Sequence, residues 1–227
     1  MIEISKRSSN YEGNKKFLRE LKALEGPFQK FSTKNLPDNP TDLFMEWLNI
    51  AIEKGVSEPP KMVVSTTDIT CAPDARVLIL KNITKNKWYF STSDISKKGE
   101  QLQSNNKVAL TFYWSELGKQ VRIRGVSKKM LEDVNSVDFL ERPNSARAIG
   151  LIGNQSKILL EQKDLEEELL KMEKLIKKAP KTVNTNWSQY EVEAYEVEFW
   201  QADSKRKHIR VQYKRDTKDW MYHLLWP

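Results

Sequence analysis

Residues 61–126 have the sequence KMVVSTTDITCAPDARVLILKNITKNKWYFSTSDISKKGEQLQSNNKVALTFYWSELGKQVRIRGV, and this stretch decides the fold. Apolar residues alternate with polar ones in most of it, which is the two-residue period of β-strands. Short connectors join the strands, apart from one helical insertion near 96–105 that Ser96 could cap. The predicted strands are 61–67, 75–81, 87–92, 107–113 and 120–126.

The last of these strands indicates which face of the sheet is buried. Val121 and Ile123 alternate with Arg122 and Arg124, so one face is expected to be buried and the other charged. The segment 75–81 is interpreted as a buried strand with a cation near each end. Strands with short connectors favour an antiparallel barrel over a doubly wound parallel sheet.

The chain before this stretch divides into an arm and a helix. Residues 1–36 are polar, lysine-rich and aperiodic, and they are predicted to be a partly disordered N-terminal arm. A helix is expected to begin at Pro40-Thr41, with Thr41 as N-cap, and to stop at Gly55. Its apolar face would consist of Leu43, Phe44, Trp47, Leu48 and Ala51.

The chain after this stretch is predicted to be helical over 130–178 and then to return to strands at 190–200, 208–215 and 219–226. Pro143 should break the first helical piece. A longer amphipathic helix would carry Ile158, Leu165, Leu169, Met172 and Ile176 along one stripe. The predicted fold class is therefore α+β, mainly antiparallel β: a barrel with peripheral helices, forming a single domain over 37–227.

Composition limits the classes of function. The chain has 38 basic and 31 acidic residues, a net charge of +7, which favours anionic partners or simply a well-solvated surface. One cysteine, Cys71, excludes an internal disulfide framework and favours a reducing compartment. The sequence shows no apolar run of membrane-spanning length and no signal-peptide core at its start. We expect a cytoplasmic protein without membrane association.

Several chemistries lack their motifs. None of the eight glycines forms a G-x-G-x-x-G or a P-loop pattern. His208 and His223 do not pair with a cysteine at metal-ligand spacing, so no metal site is predicted. No G-x-S-x-G nucleophile elbow is present. The chemistry is therefore expected to come from a bound organic cofactor.

One constellation suits a phosphate group. Arg76 and Lys81 lie at the ends of one predicted strand, hydroxyls follow at Ser91 and Thr92, and residues 96–98 place two lysines at a helix start. A helix N-terminus with arginine, lysine and hydroxyl donors binds phosphate well. The alternative interpretation is a lysine-rich surface turn.

The wider pattern resembles the pyridoxamine 5'-phosphate oxidase family of FMN-binding split barrels, which includes the similar phenazine-pathway oxidases. The resemblance runs in order from about residue 40 to the last residue. It is carried by R-V-L-I-L-K (76–81), Y-F-S-T-S-D-I-S-K-K (89–98), Y-W-S-E-L-G-K-Q-V-R-I-R-G (113–125), R-P (142–143), Q-S (155–156), V-E-F-W-Q (197–201), R-K-H-I-R (206–210), Trp220 and Pro227.

The resemblance implies FMN as cofactor, bound across the interface of a homodimer. Arg76, Ser91, Lys97 and Lys98 would hold the phosphate, with Lys97 standing where the family often has arginine. Gln120 would face the flavin ring, while Gln155, Ser156, Trp200 and Arg210 would come from the second subunit. The complete implied cofactor set is Arg76, Val77, Leu78, Lys81, Phe90, Ser91, Lys97, Lys98, Gln120, Gln155, Ser156, Trp200 and Arg210.

The resemblance also implies a small-molecule substrate site of Lys81, Arg142, Arg206 and His208, with Arg206 and His208 as the catalytic positions. An arginine and a histidine two apart on an extended strand would point to the same face. Four positions depart from the family pattern, including Ile209 after His208, where the family has aspartate, and Ser188 after Trp187, where it has glycine. Asp138 stands where the family has a phosphate-binding tyrosine, and Ala146 where it has a serine, with Ser145 one position earlier.

The consequence of Asp138 depends on where it faces. In the substrate pocket its charge would oppose a phosphate, unless Arg142 pairs with it. On a solvated helix face Asp138 would not meet the substrate, and Arg142 and Ser145 would bind the substrate phosphate.

Three functions are compatible with the sequence. The first is a pyridoxamine or pyridoxine 5'-phosphate oxidase, which passes hydride from substrate to flavin and reoxidises the flavin with oxygen. The second is a related FMN oxidoreductase acting on another reduced ring compound, as in the phenazine-pathway oxidases, which Asp138 favours. The third is a non-enzymatic flavin binder, or a basic protein that binds nucleic acid, for which no recognition motif is present.

Overall fold

A computed structural model describes residues 11–227. Within that range, nine strands form one curled antiparallel sheet, as the alternating pattern predicted. The strands are β1 (Lys61–Thr67), β2 (Pro73–Ile79), β3 (Asn82–Thr84), β4 (Lys87–Ser93), β5 (Lys107–Trp114), β6 (Lys119–Lys129), β7 (Trp187–Gln201), β8 (Ile209–Asp216) and β9 (Asp219–Leu225).

The sheet order is β2-β1-β5-β6-β7-β4-β3, with β8 added to β7 and β9 added to β8. The long strand β7 connects the two parts of the sheet, because its first half pairs with β4 and its second half with β8. A bulge interrupts β6 between Arg124 and Gly125. A Cβ on Gly125 would lie 2.6 Å from the Glu193 carbonyl oxygen, so this close approach requires glycine.

In the described part of the chain, six α-helices surround the sheet: α1 (Tyr11–Glu20), α2 (Pro40–Glu53), α3 (Lys97–Ser104), α4 (Glu132–Leu140), α5 (Asn144–Ile152) and α6 (Gln162–Lys178). None of these helices of residues 11–227 has both the length and the apolar character needed to cross a bilayer. Pro143 separates α4 from α5, as predicted, because proline cannot continue the preceding helix.

The core lies on the concave face of the sheet and is closed by α2. Leu43, Phe44, Trp47 and Ala51 are almost fully buried, which confirms four of the five residues of the predicted apolar face, and Leu48 packs partly buried against the same cluster. Phe44 meets Phe112 edge-on at 4.8 Å, and Trp47 meets Phe199 at 5.2 Å. Such aromatic pairs add about 0.5–1.5 kcal/mol each beyond the area that they bury.

Three local predictions were wrong. Asn39, not Thr41, caps α2, because its Oδ1 accepts the main-chain N–H of Thr41. The predicted buried strand 75–81 begins and ends two residues earlier, and it is a sheet-edge strand whose Val77 and Ile79 are exposed. Ile158 precedes α6 and is 90% exposed, so it does not belong to the helical stripe.

The predicted N-terminal arm is partly ordered in the range that the structure describes. Residues 11–20 form α1, which the aperiodic sequence did not predict, and no residue of this helix is buried. Further along, Phe31 packs edge-on against Trp47 at 5.0 Å. Residues 1–10, for which disorder was also predicted, lie outside the described residues.

Lys119 is a buried lysine that packs against the core residue Trp47. Its side chain is 2% exposed, its Nζ donates to Gln201 Oε1 at 2.7 Å, and it lies 3.8 Å from the centre of the Trp47 ring. Burial lowers the pKa of Lys119 to about 8. The Trp47 ring stabilises the cation, but a ring does not replace the hydration of an ammonium group.

We expect Lys119→Met to stabilise the protein by roughly 1–3 kcal/mol at pH 7. The pKa of Lys119 is lower in the folded protein than in the unfolded chain, so the folded protein loses the Lys119 proton first as the pH rises. The wild type should therefore gain stability relative to the variant as pH rises from about 8 to the ordinary lysine range. Urea unfolding of both proteins at several pH values measures this, with exposed Lys54→Met as control. A free-energy difference that is constant over that window would contradict the prediction.

Candidate functional site

Arg76 is held rigidly on β2 by neighbours from two other elements. Its guanidinium donates to Thr66 Oγ1 at 2.6 Å and to the Val64 carbonyl at 3.2 Å, both on β1. It also donates to Gln101 Oε1 of α3 at 3.2 Å and pairs with Asp74 at 2.7 Å. These contacts leave the guanidinium with one orientation at the junction of β1, β2 and α3.

The N-terminus of α3 brings two lysines to the same junction. Ser96 caps the helix, as predicted, by accepting the Gly99 N–H at 3.2 Å. Lys97 Nζ lies 3.9 Å from the Asp74 oxygen that binds Arg76, and Lys98 Nζ lies 3.2 Å from Ser96 Oγ. We call Arg76, Lys97, Lys98 and the capped start of α3 the anion cradle.

The electrostatics of the anion cradle favour an anion. Three cations face one carboxylate, which leaves two positive charges. Burial, and then the nearby Arg76 charge, lower the pKa of Lys98. Burial works to raise the pKa of Asp74, but the Arg76 charge, the hydrogen bond from the Ala75 N–H and the Lys97 charge together outweigh it and hold that pKa below its ordinary value. A bound anion would relieve the repulsion among the cations.

Strand β4 carries Ser91, whose hydroxyl was predicted to bind the phosphate. Ser91 is buried, and its Oγ has no hydrogen-bond partner in the described part of the chain. A buried hydroxyl without a partner is costly, so a ligand acceptor or donor is expected to meet it. Phe90 points the other way: it is fully buried and stacks on Tyr190 at 5.7 Å, so only its main chain could face a cofactor.

The remaining strand residues of the predicted cofactor set lie on β2. Val77 is 58% exposed on the outer face, while Leu78 packs partly buried against the core. Lys81 follows the strand and donates its main-chain N–H to the Tyr89 carbonyl at 2.8 Å. This bond ties the end of the β2 segment to β4.

The pair Gln155-Ser156 lies beside the anion cradle of its own chain. Ser156 has a left-handed backbone, φ 71°, and its Oγ accepts the Lys97 N–H at 3.3 Å. Gln155 donates to the Ile149 carbonyl at 3.1 Å, and its buried Oε1 has no partner within residues 11–227. Within one chain, Ser156 already contacts the start of α3. The assignment of this pair to the second subunit stays a prediction.

Three predicted cofactor residues form a row on the outer face of the sheet. Gln120 of β6 pairs with Trp200 of β7, and Trp200 pairs with Arg210 of β8. Arg210 Nε donates to buried Glu198 at 2.8 Å, and Arg122 pairs with the same carboxylate. Burial works to raise the pKa of Glu198, but the two arginines outweigh it and keep the carboxylate ionised.

Arg206 and His208 lie in the connection between β7 and β8, not on an extended strand. Arg206 is exposed with a left-handed backbone, φ 63°, so the prediction that the two side chains share a strand face was wrong. His208 is fixed by its neighbours. Its Nδ1 accepts the Asp203 N–H at 3.1 Å, and its ring lies 4.8 Å from Trp200. Because Nδ1 accepts, the neutral ring carries its proton on Nε2.

A cavity of about 540 Å³ lies beside α4, and three predicted substrate residues line it: Lys81, Asp138 and Arg142. This volume is in the range of small-molecule sites. The guanidinium carbon of Arg142 lies over the Trp187 ring, 3.8 Å from the ring centre. Burial lowers the pKa of Arg142, and Asp138 partly offsets this effect.

Asp138 faces this cavity and not a solvated helix surface. It is 8% exposed, and its carboxylate accepts from Trp187 Nε1 at 2.7 Å and from Gln189 Nε2 at 3.3 Å. Lys81 Nζ lies 4.0 Å away. The alternative of a solvated position is therefore wrong, and Trp187, not Arg142, is the direct partner.

Not every predicted substrate residue reaches the cavity. Ala146 lies half-buried on α5, outside the lining, and Ser145 is exposed. Arg206 and His208 are also outside the lining that this single chain provides.

Sequence reasoning missed four side chains that hold these groups in place: Asp74, Trp187, Gln189 and Glu198. Three of them contact residues far along the chain, as for Trp187 with Asp138, which are 49 positions apart, whereas Asp74 also pairs with nearby Arg76. Local signals existed for two of them, because Glu198 lies in the 197–201 segment that carries the resemblance and Trp187 keeps the tryptophan of a family tryptophan-glycine pair.

Comparisons with known proteins agree with this architecture. A family model described as pyridoxamine 5'-phosphate oxidase matches residues 48–187, and one described as the pyridoxine 5'-phosphate oxidase C-terminal dimerisation region matches 187–227. A pyridoxine/pyridoxamine 5'-phosphate oxidase of Leptospira biflexa is 31% identical over 189 residues, covering 83% of this chain and 89% of the relative. One of Flavobacterium psychrophilum is 34% identical, covering 79% and 85%.

Solved structures give the same picture. PhzG from Burkholderia lata, solved with tetrahydrophenazine-1-carboxylic acid, superposes with a TM-score of 0.84 at 26% identity, covering 89% of this chain and 100% of that one. A pyridoxamine 5'-phosphate oxidase-related, FMN binding protein from Nostoc punctiforme has a TM-score of 0.64 at 14% identity, covering 86% and 100%. The second likeness concerns the fold alone.

Proposed function

This chain belongs to the pyridoxamine 5'-phosphate oxidase family, and from that premise we propose that it is an FMN-dependent oxidase of a small reduced ring compound. FMN would bind in the anion cradle by its phosphate. The substrate would bind in the cavity lined by Lys81, Asp138 and Arg142.

The anion cradle is the observation that carries this proposal. Its two excess positive charges match a phosphate dianion, and the α3 N-terminus adds main-chain donors. The buried Ser91 hydroxyl lacks a partner among the described residues, as expected of a group that meets a ligand. The residues present therefore fit the phosphate of FMN.

A homodimer is the proposed assembly. The outer face of β1, β2 and β5 exposes Val63, Val77, Ile79 and Tyr113 side by side, an apolar surface of the kind that marks a protein interface. The row Gln120, Trp200 and Arg210 continues the same face of the sheet. A second copy on this face would cover the apolar surface and bring Trp200 and Arg210 towards the partner's cofactor.

Each group of residues has a defined task in this proposal. When bound, FMN supplies the redox chemistry by accepting a hydride from the substrate and passing the electrons to oxygen, which becomes hydrogen peroxide. Arg142, held by Trp187, and Lys81 would bind the substrate anion. Arg206 and His208 would orient the substrate over the ring, with His208 Nε2 donating a hydrogen bond. The remaining contribution of the chain is orientation and exclusion of water.

A second candidate substrate follows from Asp138. Its buried carboxylate lies 4.0 Å from Lys81, and with exposed Asp133 and Glu141 it makes three carboxylates against the two cations of the cavity lining. Because carboxylates repel a dianion more strongly than a monoanion, this lining suits a carboxylate monoanion better than a phosphate dianion. The similar PhzG was solved with a reduced ring carboxylic acid, and we propose a reduced ring carboxylate as the second substrate class.

Peroxide release by the FMN-loaded protein tests the proposal. Pyridoxine 5'-phosphate, pyridoxamine 5'-phosphate and a reduced tricyclic carboxylate are supplied separately, with oxygen as acceptor. Turnover of any of them supports an oxidase, and the preferred compound decides between the two substrate classes. FMN-loaded protein that oxidises none of them would contradict the proposed oxidase.

A further inference from the structure

Asp94 is a buried carboxylate that joins three parts of the fold. It is 8% exposed, and its oxygens accept from Lys129 Nζ at 2.5 Å, Ser188 Oγ at 2.8 Å and the Tyr190 hydroxyl at 2.8 Å. Lys129 ends β6, while Ser188 and Tyr190 lie on β7. Burial, followed by the hydrogen bond to Asp94, raises the pKa of Tyr190, so the phenol keeps its proton and donates.

The main chain of Asp94 is also fixed on both sides. Its N–H donates to the Asn186 carbonyl at 2.7 Å, and its carbonyl accepts from Gln103 of α3 at 3.1 Å. A Cβ on Gly99 would lie 2.4 Å from the carbonyl oxygens of Ser93 and Asp94. The first turn of α3 therefore packs directly on the Asp94 main chain.

These contacts connect Asp94 to the anion cradle. Asp94 precedes the N-cap Ser96 by two residues, and Lys97 and Lys98 follow that cap at once. The Asp94 side chain is the only part of this segment that reaches both β6 and β7 among the hydrogen bonds of residues 11–227. It fixes where the helix begins relative to the sheet that carries Arg76.

We infer that Asp94 is a positioning residue for the cofactor phosphate: it holds the first turn of α3, with Lys97 and Lys98, at the place where they meet the phosphate. Asp94 itself does not touch the phosphate, and its charge is balanced by Lys129. The inference rests on the proposed binding of FMN in the anion cradle.

Comparison of FMN with riboflavin separates positioning from general structural support, since riboflavin has the ring and lacks the phosphate. We expect Asp94→Ala to weaken FMN binding about tenfold or more and to change riboflavin binding less than about twofold, because small displacements of a binding group have effects of this size. Asp94→Asn keeps the shape of the side chain and one of its acceptor oxygens, so it should weaken FMN binding less than Asp94→Ala does. The control is Asp216→Asn, which removes the same charge from an exposed position at the end of β8.

Equilibrium dialysis of apoprotein with each flavin gives these constants, and urea unfolding of each apoprotein reports stability. Equal loss of FMN and riboflavin binding would mean general structural support and would overturn the inference. Variants that keep the wild-type preference for FMN would overturn it as well. Wild type that binds neither flavin would overturn the proposed function and this inference together.

Discussion

Arg76→Ala is expected to weaken FMN binding about a hundredfold or more, the largest effect of any single substitution in the anion cradle. Charge-assisted hydrogen bonds contribute about 1.5–3 kcal/mol each, and about 1.4 kcal/mol corresponds to tenfold in Kd. The substitution also leaves Asp74 facing the phosphate with Lys97 as its remaining cation partner. Fluorescence titration of the apoprotein with FMN measures the change.

Two further variants show whether the effect belongs to the cradle. Arg76→Lys keeps the charge but cannot form the planar fork that reaches Thr66, Gln101 and Asp74, so it should lie between wild type and Arg76→Ala. Arg19→Ala removes the same charge from an exposed position on α1 and should leave Kd unchanged. An Arg76→Ala protein that is folded and binds FMN like the wild type would contradict the assignment of the phosphate site.

The second large effect is expected from Asp138→Tyr combined with Ala146→Ser. The wild type should turn over pyridoxine 5'-phosphate poorly, and the double variant should lower KM about tenfold or more with little change in kcat. A carboxylate about 4 Å from a phosphate charge costs up to about 4 kcal/mol at an effective dielectric constant of about 20. KM should carry the gain because the lost repulsion and the added hydroxyl groups act in the ground state and the transition state alike.

The matched control is Asp138→Asn, which removes the charge and keeps an oxygen that can accept from Trp187. Peroxide-coupled assays of wild type, Asp138→Asn, Ala146→Ser and the double variant separate the charge from the new contacts. If Asp138→Asn lowers KM nearly as much as the double variant does, charge repulsion between Asp138 and the phosphate is the cause of the high wild-type KM. Efficient turnover by the wild type, with no gain in the double variant, would show that Asp138 does not oppose the phosphate.

Most of the fold was predictable because the strand period is a local signal. The alternation of Val121 and Ile123 with Arg122 and Arg124 identified the buried face of β6 correctly. The apolar spacing of Leu43, Phe44 and Trp47 likewise identified the face of α2 that closes the core. These patterns depend only on which side of one element is buried.

Other features depend on neighbours that the sequence does not reveal. The apolar run of β2 resembles a buried strand, but its place at the sheet edge leaves Val77 and Ile79 exposed in a single chain. Arg206 was expected in an extended segment, and the turn before β8 gives it a left-handed backbone instead.

The candidate site was predictable by residue type and not by contact. Arg76, Lys97 and Lys98 were selected because their types and order suit a phosphate, and the structure places them around Asp74. The partners that hold the site, such as Asp94 with Tyr190, are 96 positions apart in the chain. The pairing of β4 with β7, which sets Ser93 opposite Trp187, brings this pair together.

In this proposal the chain holds FMN by its phosphate. The decisive measurement is denaturation of the purified protein, followed by chromatography of the pigment that it releases. We expect FMN, since the anion cradle suits one terminal phosphate and the sequence has no motif for an adenosine half. Release of FAD, or of no flavin even after FMN has been supplied, would contradict the proposal.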